Sequence, residues 1–349
     1  MKQRSTETIR VGVIGCGIIA YWVHLRILRN FPGATLAAAS DPDPQARARA
    51  QKIVRVPIVE SSDDLLARND IDAVVICAPT HLHATLATSA LAAGKHVFLE
   101  KPIATTAADS RKAVDAAERS DVTAMVGFNR RLHPLFEQAR ALIAAGDIGS
   151  IRAAQTAFCE PMSVSEMTPW RRCRSTGGGV LLDLASHHFD LIRWFLDDEI
   201  ETVEAIIRSD ESEHDSASVS LLSKSGTQIQ SFFSYRTARA DYLEFIGEKG
   251  TLRIDRHEPT FSVKVGRRFG YGTRSRRVVP TPGVAAWRMR RLVRPSVEPS
   301  YRRALAAFVD SIRGEAGKLA TFSDGARSLD VILAAEQSAV THAATRVGE

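Results

Sequence analysis

The sequence has no apolar run that approaches the roughly 20 residues needed to cross a bilayer, which argues against a membrane-spanning protein. Its first ten residues are polar and charged, so we expect no signal peptide. The only cysteines are Cys16, Cys77, Cys159 and Cys173, and they lack the close pairing that structural zinc requires. A chain of this size does not need disulfides. We therefore expect a cytoplasmic protein with free thiols.

Positive charge is concentrated in one segment. The net charge is +6, and residues 256–303 hold thirteen Lys and Arg against only Glu258 and Glu298. Nucleic-acid binding is one interpretation, but aromatic residues are sparse there and no nucleic-acid-binding motif occurs. A solvated face or an oligomer contact is the simpler interpretation. A third interpretation is that some of these arginines bind an anionic substrate, such as a phosphorylated or nucleotide-linked sugar, because guanidinium pairs well with phosphate.

The 349 residues exceed the usual size of one hydrophobic core, so we expect two domains. In the first part, β-branched runs alternate with amphipathic stretches, which predicts a parallel sheet covered by helices on both faces. Later strands follow one another, which is typical of a mainly antiparallel sheet. Strands are predicted at 9–14, 35–40, 73–77, 96–99 and 123–126, then at 151–158, 202–207, 216–222, 228–235 and 242–246. The closing helices are predicted at 301–312 and 326–344.

A glycine-rich loop follows the first predicted strand. Gly15 and Gly17 lead into a helix that contains Ala20. Glycines here let the backbone turn sharply and approach a pyrophosphate, whose charge lies on free amides at the helix N-terminus. Asp41 ends the second strand, where a carboxylate can bind both adenosine ribose hydroxyls and repel a 2′-phosphate. This favours NAD over NADP, with the alternative that Asp41 only caps the next helix.

Two further motifs leave strands at their carboxyl ends, the edge where open α/β sheets bind ligands. They are the segment 77–83 and Glu100-Lys101-Pro102. A partly desolvated lysine at this edge can exchange a proton with a substrate hydroxyl. A Lys-Pro pair after a strand is also a common surface turn, and a histidine in 77–83 has an ordinary interpretation as the start of a helix.

These motifs together resemble one known family, the glucose-fructose oxidoreductase, inositol dehydrogenase and rhizopine catabolism (Gfo/Idh/MocA) family. Its most specific mark is the Glu-Lys-Pro motif. Similar stretches also occur at 243–252 and from residue 322 onward, and the resemblance fades only between about 256 and 298. The motifs that carry it are Gly15-Cys16-Gly17-Ile18-Ile19-Ala20, Pro79-Thr80-His81-Leu82-His83, Gly94-Lys95-His96-Val97-Phe98-Leu99-Glu100-Lys101-Pro102, and Gly177-Gly178-Gly179 followed by Asp183 and His187.

The last of these motifs also has a physical rationale of its own. Asp183 and His187 are four residues apart and would lie on one face of a helix. His187 can exchange the substrate proton, while Asp183 holds either His187 or the substrate hydroxyl in place. Carboxylate and imidazole also bind zinc, but the adjacent His187 and His188 point about 100° apart. We therefore expect no metal, and we expect His188 to pack or to support the site.

The resemblance implies the fold and the site. It implies an amino-terminal Rossmann domain over residues 1–128, with a doubly wound parallel sheet. It also implies a second domain over residues 129–349, with an open-faced, mainly antiparallel sheet and helices. The catalytic set would be Lys101, Asp183 and His187. The cofactor would contact Gly15, Gly17, Ile18, Ile19, Asp41, Ala78, Pro79, Thr80, His83, Glu100, Lys101 and Asn129. The substrate would contact Lys101, Arg130, Trp170, Arg171, Asp183, His187 and Tyr301.

The function expected from these residues is interconversion of a secondary alcohol and a ketone on a sugar or cyclitol, with NAD as the hydride carrier. Inositol-like compounds, aminosugars and nucleotide sugars all fit. Two alternatives stay open: an enzyme that retains NAD and performs hydrolysis or epimerisation by transient oxidation, and a non-catalytic nucleotide-binding regulator. The resemblance further suggests a homodimer or homotetramer joined through the exposed face of the second sheet, without nucleic-acid or membrane partners.

Overall fold

The computed structural model of the chain describes residues 8–256, 261–266, 273–278, 298–315 and 320–348. These residues divide into two compact units. The first unit takes the described residues of Met1–Asn129 and Ser296–Arg327. The second takes those of Arg130–Pro295 and Ser328–Glu349.

A six-stranded parallel sheet forms the centre of the first unit. The strands lie in the order β3-β2-β1-β4-β5-β6, so the direction of winding reverses between β1 and β4. In sheets of this order a dinucleotide binds outside the carboxyl ends of the strands at the reversal. The strands are β1 (Ile9–Ile14), β2 (Ala34–Ser40), β3 (Ile58–Val59), β4 (Ala73–Ile76), β5 (His96–Leu99) and β6 (Ala124–Val126).

Helices follow the strands of this unit. Its central strands are buried almost throughout, as expected for a sheet covered on both faces. One π-helical turn, Ala20–His24, precedes the first α-helix. The helices are α1 (Leu25–Leu28), α2 (Pro44–Gln51), α3 (Ser62–Leu66), α4 (His83–Ala92), α5 (Ala107–Glu118) and α8 (Pro299–Ile312).

A nine-stranded sheet forms the second unit, in the order β14-β13-β12-β11-β7-β10-β9-β8-β15. Of its strand pairs, β7 with β10 is parallel and the others are antiparallel. This confirms the predicted fold class. The strands are β7 (Ile151–Cys159), β8 (Ile200–Arg208), β9 (Ser216–Ser223), β10 (Gln228–Ser234), β11 (Ala240–Gly247), β12 (Gly250–Asp255), β13 (Phe261–Gly266), β14 (Thr273–Val278) and β15 (Thr345–Arg346).

One face of this second sheet is covered. Helices α6 (Pro134–Ala144) and α7 (Ser186–Leu196) contact β12 and β7, respectively. Along β10, Ile229 and Phe233 are buried whereas Gln230 and Phe232 are exposed. This alternation is what a sheet with one packed face requires.

The predicted closing helix needs correction. Helix α9 covers Phe322–Thr341 rather than 326–344. It begins earlier because Thr321 Oγ1 accepts the N–H of Asp324 at 3.1 Å, and Asp324 Oδ2 accepts the N–H of Thr321 at 2.9 Å. Such reciprocal bonds satisfy two donors of the first turn.

The predicted domain bounds, 1–128 and 129–349, stay a prediction. Described residues of Ser296–Arg327 group with the first unit by their contacts.

A buried ion cluster stabilises the second unit. Asp241 is fully buried, and Arg130 donates to both of its oxygens at 3.0 Å. Arg256 lies 3.0 Å from the second oxygen and His188 Nε2 lies 3.1 Å from the first. Burial by itself would raise the pKa of Asp241, but Arg130, His188 and Arg256 outweigh it and hold that pKa well below its usual range.

We expect Asp241→Asn to lower the free energy of unfolding at pH 7 by about 3–5 kcal/mol, because the buried guanidinium of Arg130 and the partly exposed one of Arg256 lose their counter-charge. Since the folded-state pKa of Asp241 is depressed, its contribution is present above an unfolded pKa of about 4 and is lost as pH falls further. Urea unfolding at several pH values measures both effects. The exposed Asp121→Asn is the control, and equal stability of the two variants at pH 7 would contradict the prediction.

Candidate active site

The glycine loop after β1 is held between two strands. Gly15 has φ +91°, and a Cβ there would lie 2.8 Å from the carbonyl carbon and oxygen of Cys77. Only glycine therefore lets the end of β1 pass this close to the end of β4. On the other side, the N–H of Cys16 donates to Asp41 Oδ2 at 2.7 Å.

The space above Gly17 is open. A Cβ at Gly17 would meet no protein atom within 4 Å. The helix that follows has Ile18 at 58% exposure and Ala20 fully buried. Backbone amides at a helix N-terminus carry partial positive charge, so an anionic group fits over this turn.

Asp41 does not cap the next helix. The N-cap of α2 is Asp43, whose Oδ1 accepts the N–H of Gln45 at 2.9 Å. Asp41 instead accepts the N–H of Cys16 through one oxygen and that of Asp43, at 2.8 Å, through the other. Its carboxylate thus lies beside the glycine loop, and each oxygen has further acceptor capacity.

The segment after β4 is tied to the Lys101-Pro102 turn through His83. The His83 side chain is buried, with Nδ1 2.7 Å from the carbonyl oxygen of Pro102 and Nε2 2.8 Å from that of Ala78. Burial lowers the pKa of His83, against the opposing effect of the two carbonyls. Both ring nitrogens thus face backbone oxygens, and the predicted contact of His83 with the cofactor stays a prediction. Its neighbours Pro79 and Thr80 begin the short 3₁₀ turn Thr80–Leu82.

Glu100 and Lys101 follow β5 at the same edge of the sheet as the glycine loop, and the Lys101-Pro102 peptide is cis. The Glu100 side chain is buried, and its Oε1 lies 2.7 Å from Nε2 of the fully buried His24. Tyr301, at the start of α8, places its ring edge-on to His24 with centroids 6.0 Å apart. The structure therefore brings predicted residues Glu100 and Tyr301 together through a histidine.

Asn129 lies just beyond β6, buried at 2% exposure. Its Nδ2 donates to the Ser300 hydroxyl at 2.8 Å, and that hydroxyl donates onward to Glu298. Because the hydroxyl proton is used on Glu298, Ser300 must accept from Asn129, which fixes the orientation of the amide. Asn129 Oδ1 has no hydrogen-bond partner among the described residues.

In the second unit, the Asp183 carboxylate contacts the side chains of Tyr235 and Arg171. It lies in the π-helical turn Leu181–Ala185 that leads into α7, and it is 7% exposed. The Tyr235 hydroxyl donates to Asp183 Oδ2 at 3.0 Å, and an Arg171 guanidinium nitrogen lies 3.5 Å from the same oxygen. Arg171 also lies over the ring of Trp170, 5.3 Å from its centroid. Three predicted substrate residues, Trp170, Arg171 and Asp183, thus lie close together in the second unit.

Gly178 explains how Arg171 reaches Asp183. A Cβ at Gly178 would lie 2.3 Å from the carbonyl oxygen of Arg171, and the Gly178 N–H donates to the carbonyl of Cys173 at 2.9 Å. The backbone segment that carries Arg171 therefore crosses directly over the glycine triplet. Any larger residue at 178 would push that segment away.

His187 and His188 have different surroundings. His187 is 8% exposed in the first turn of α7, next to the Asp183 turn, with Phe158 6.4 Å from its ring centroid. His188 is fully buried, stacks on Phe158 at 5.5 Å and bonds Asp241. Burial lowers the pKa of His188, which Asp241 opposes. The described part of the chain contains no group of three or more His, Cys, Asp or Glu residues arranged to hold a metal ion.

Arg130 is paired in the interior of the second unit. Its side chain is 4% exposed, forms a two-fold ion pair with Asp241 and lies 4.3 Å above the Phe158 ring. Its predicted contact with substrate stays a prediction. The sequence places Arg130 directly after Asn129, but the two side chains serve different units.

Comparison with known proteins identifies the family. The family model described as "Oxidoreductase family, NAD-binding Rossmann fold" matches residues 9–128. The model described as "GFO/IDH/MocA C-terminal domain" matches residues 136–253. The chain is 33% identical over 276 residues to inositol 2-dehydrogenase of Rhizobium meliloti (strain 1021), covering 76% of this chain and 80% of that protein. The chain belongs to the GFO/IDH/MocA oxidoreductase family.

The names of other relatives refer to different compounds. The chain is 33% identical over 263 residues to dTDP-3,4-didehydro-2,6-dideoxy-alpha-D-glucose 3-reductase of Streptomyces violaceoruber, covering 73% of this chain and 76% of that protein. Scyllo-inositol dehydrogenase from Lactobacillus casei, solved with NAD(H) and scyllo-inositol, has a TM-score of 0.80 and 25% identity, covering 98% of this chain and 100% of that one. The resemblance drawn from the motifs is confirmed, and with it the assignment as a dehydrogenase.

Sequence reasoning missed three buried partners of predicted site residues, two in the first unit and one in the second. His24 and Ser300 are buried partners of Glu100 and Asn129, and Tyr235 is the buried partner of Asp183. Each comes from an element distant in sequence from its partner. His24 could have been noticed, because a histidine on the helix after the glycine loop lies close to the predicted cofactor residues. For Tyr235 the sequence offers no sign of a role beyond its place at the end of a strand.

Most of the basic segment 256–303 lies outside the described residues, so its predicted roles stay predictions.

Within the described ranges, no helix is both long and apolar enough to cross a membrane. The four cysteines form no disulfides, and burial followed by the charge of Asp41 raises the pKa of Cys16 to about 12.

We expect Gly17→Ala to fold as the wild type does but to bind NADH at least about tenfold more weakly, a loss of about 1.4 kcal/mol. The added methyl meets no protein atom, yet it occupies the space where a pyrophosphate would approach the backbone. Fluorescence titration and thermal unfolding measure the two properties. Gly15→Ala is the contrast, since strain and collision there should lower stability as well. Unchanged NADH affinity of Gly17→Ala would contradict the prediction.

Proposed function

We propose that this chain is an NAD-dependent dehydrogenase that interconverts a secondary alcohol and a ketone on a sugar or cyclitol ring. The observation that carries the proposal lies in the first unit. Lys101 follows β5 at the same sheet edge where the open glycine loop follows β1. A primary amine is thus available where hydride chemistry would occur, and it can exchange the proton of a substrate hydroxyl.

The residues at this edge fit NAD. The open turn at Gly17 suits the pyrophosphate, and Asp41 suits the adenosine ribose. The buried Oδ1 of Asn129, without a partner among the described residues, can accept a hydrogen bond from the nicotinamide half. NAD, when bound, accepts or returns the hydride. The full proposed set is Gly15, Gly17, Ile18, Ile19, Asp41, Ala78, Pro79, Thr80, Glu100, Lys101 and Asn129, with His83 in support.

The catalytic roles follow from the chemistry of the side chains. Lys101 and His187 exchange the proton of the reacting hydroxyl, so that an alkoxide does not accumulate while hydride leaves the carbon. Asp183 orients the histidine or the substrate hydroxyl. Trp170, Arg171 and Tyr301 complete the proposed substrate contacts, and no bound metal takes part.

The substrate class rests on the relatives. Their names include inositol, a deoxy-dTDP-sugar and scyllo-inositol, all of which carry ring hydroxyl or keto groups. Arg171 lies beside Asp183 and is 27% exposed in its side chain, so its charge also suits a substrate with an acidic substituent. We therefore propose a polyhydroxylated ring, with the acidic substituent as the variable to test.

We expect a panel of cyclitols, free sugars, aminosugars and nucleotide sugars to contain a compound on which the enzyme forms NADH in stoichiometric amount. Lys101→Ala should lower the rate about 100- to 10,000-fold on that compound, because proton transfer loses its base. NADH binding to the variant, measured by fluorescence, checks that the fold is intact. Product formation without NADH release would instead indicate transient oxidation by a retained cofactor. Absence of turnover over the whole panel would favour a nucleotide-binding regulator.

We also expect NADH to bind at least about tenfold more tightly than NADPH, because the Asp41 carboxylate repels a 2′-phosphate. Asp41→Asn should reduce the ratio of the two dissociation constants. The ratio is the informative quantity. Asp41 also accepts the N–H of Cys16, and losing that hydrogen bond should weaken the binding of NADH and NADPH equally. Tighter binding of NADPH by the wild type would refute the assignment to NAD.

A further inference from the structure

We propose that Tyr235 is the residue that positions Asp183 for catalysis, an inference that rests on the proposed dehydrogenase function. The Tyr235 hydroxyl donates to Asp183 Oδ2 at 3.0 Å. Tyr235 comes directly after β10, whereas Asp183 lies in the turn before α7. The bond therefore fixes the carboxylate of the helix turn to the central part of the sheet.

The phenol is itself rigidly held. Tyr235 is 2% exposed, its N–H donates to the carbonyl of Asp215 at 2.9 Å, and its carbonyl accepts from Met162 at 3.0 Å. Both backbone groups of the residue are thus fixed by neighbouring segments. A side chain anchored in this way can transmit a defined geometry to its partner.

Asp215 explains why the segment beside Tyr235 keeps its shape. Asp215 is fully buried, and its Oδ2 accepts three consecutive backbone N–H groups, from Asp210, Glu211 and Ser212, at 2.7–3.2 Å. A carboxylate that closes a loop through three charge-assisted bonds makes the loop a fixed support. The Tyr235 backbone is bonded to the carbonyl of this same residue.

Tyr235 remains a donor over the working range of the enzyme. Burial, followed by the charge of Asp183, raises the pKa of Tyr235 well above its ordinary value. The phenol therefore keeps its proton and always faces the carboxylate with an O–H group. Arg171 approaches the same Asp183 oxygen from a side chain that is 27% exposed. Asp183 Oδ2 is thus held by a buried neutral donor on one side and a partly exposed cation on the other.

A purely structural role would have different consequences. Phenylalanine at 235 retains the ring that packs the interior and loses only the hydroxyl. If the hydroxyl served stability alone, its removal would change unfolding but not the pH dependence of turnover. If it positions Asp183, removal takes away one of the partners of the carboxylate, which is then oriented less tightly and is less strongly stabilised in its ionised form.

We expect Tyr235→Phe to lower kcat about tenfold with little change in KM, and to move the acidic limb of the pH–kcat profile upward by about one unit. The shift is the size that follows from one lost hydrogen bond to a charged group. NADH affinity should be unchanged, because the cofactor residues belong to the first unit. Tyr242→Phe is the matched control, since Tyr242 packs against Arg253 instead.

A double-mutant cycle tests whether Tyr235 acts through Asp183. In an Asp183→Asn background, Tyr235→Phe should lower kcat less than about twofold further. Additive losses in the two backgrounds would overturn the proposal, and so would an unchanged pH profile of the single variant.

A readout without turnover separates this proposal from the proposed function. The carboxyl carbon of Asp183, assigned by ¹³C NMR as the signal lost in Asp183→Asn, should titrate at higher pH in Tyr235→Phe than in the wild type. An unchanged titration would overturn the role of Tyr235 even if the enzyme proves to be a dehydrogenase. A shifted titration without turnover on any substrate would retain Tyr235 as the residue that holds Asp183 and reject the dehydrogenase activity.

Discussion

The positions of the functional side chains depend on backbone segments that pass closer together than any side chain allows. In the first unit, Gly15 lets the end of β1 lie against the carbonyl of Cys77. In the second, Gly178 lets the segment that carries Arg171 cross over the start of the Asp183 turn. The contacts are between main-chain atoms, which cannot move aside as the end of a flexible side chain can. Each site is thus shaped first by missing Cβ atoms and only then by its polar residues.

Two of the buried aspartates of the second unit, Asp241 and Asp183, show how surroundings separate structure from chemistry. Asp241 is fully enclosed and its oxygens meet two arginines and a histidine. Asp183 keeps some exposure, and one of its oxygens meets a neutral phenol and a partly solvated arginine. A carboxylate saturated with cations is a stable anchor for the fold. A carboxylate that keeps some exposure can still respond to a substrate.

The local patterns predicted most of the architecture. Buried β-branched runs gave strands β1, β4 and β5 nearly to the residue, because parallel strands covered on both faces are apolar throughout. Strands β13 and β14 were not predicted, although Phe261, Val263 and Val265 alternate with polar residues in β13; β14 is mostly basic and polar. The glycine and Glu-Lys-Pro motifs located the cofactor edge. Pairings such as Glu100 with His24 and Asp183 with Tyr235 were beyond reach, because they join residues 76 and 52 positions apart.

Arg130 shows what a sequence position leaves open. Its place next to Asn129 predicts a substrate contact, whereas its side chain pairs with Asp241 in the interior. A sequence position close to a site says little about the direction of a long side chain. Burial and charge pairing decide it, and both depend on residues brought from elsewhere in the fold.

The π-helical turn Leu181–Ala185 makes the length of this stretch as important as its residues. A π turn accommodates one residue more than an α-helical turn at the same place. Deleting a residue there would let the chain wind as an ordinary α-helix and rotate Asp183 by about 100° around the axis while α7 kept its packing. Homologues that differ in length between the glycine triplet and α7 should therefore present a different face of this helix to their substrates, whatever amino acids they retain.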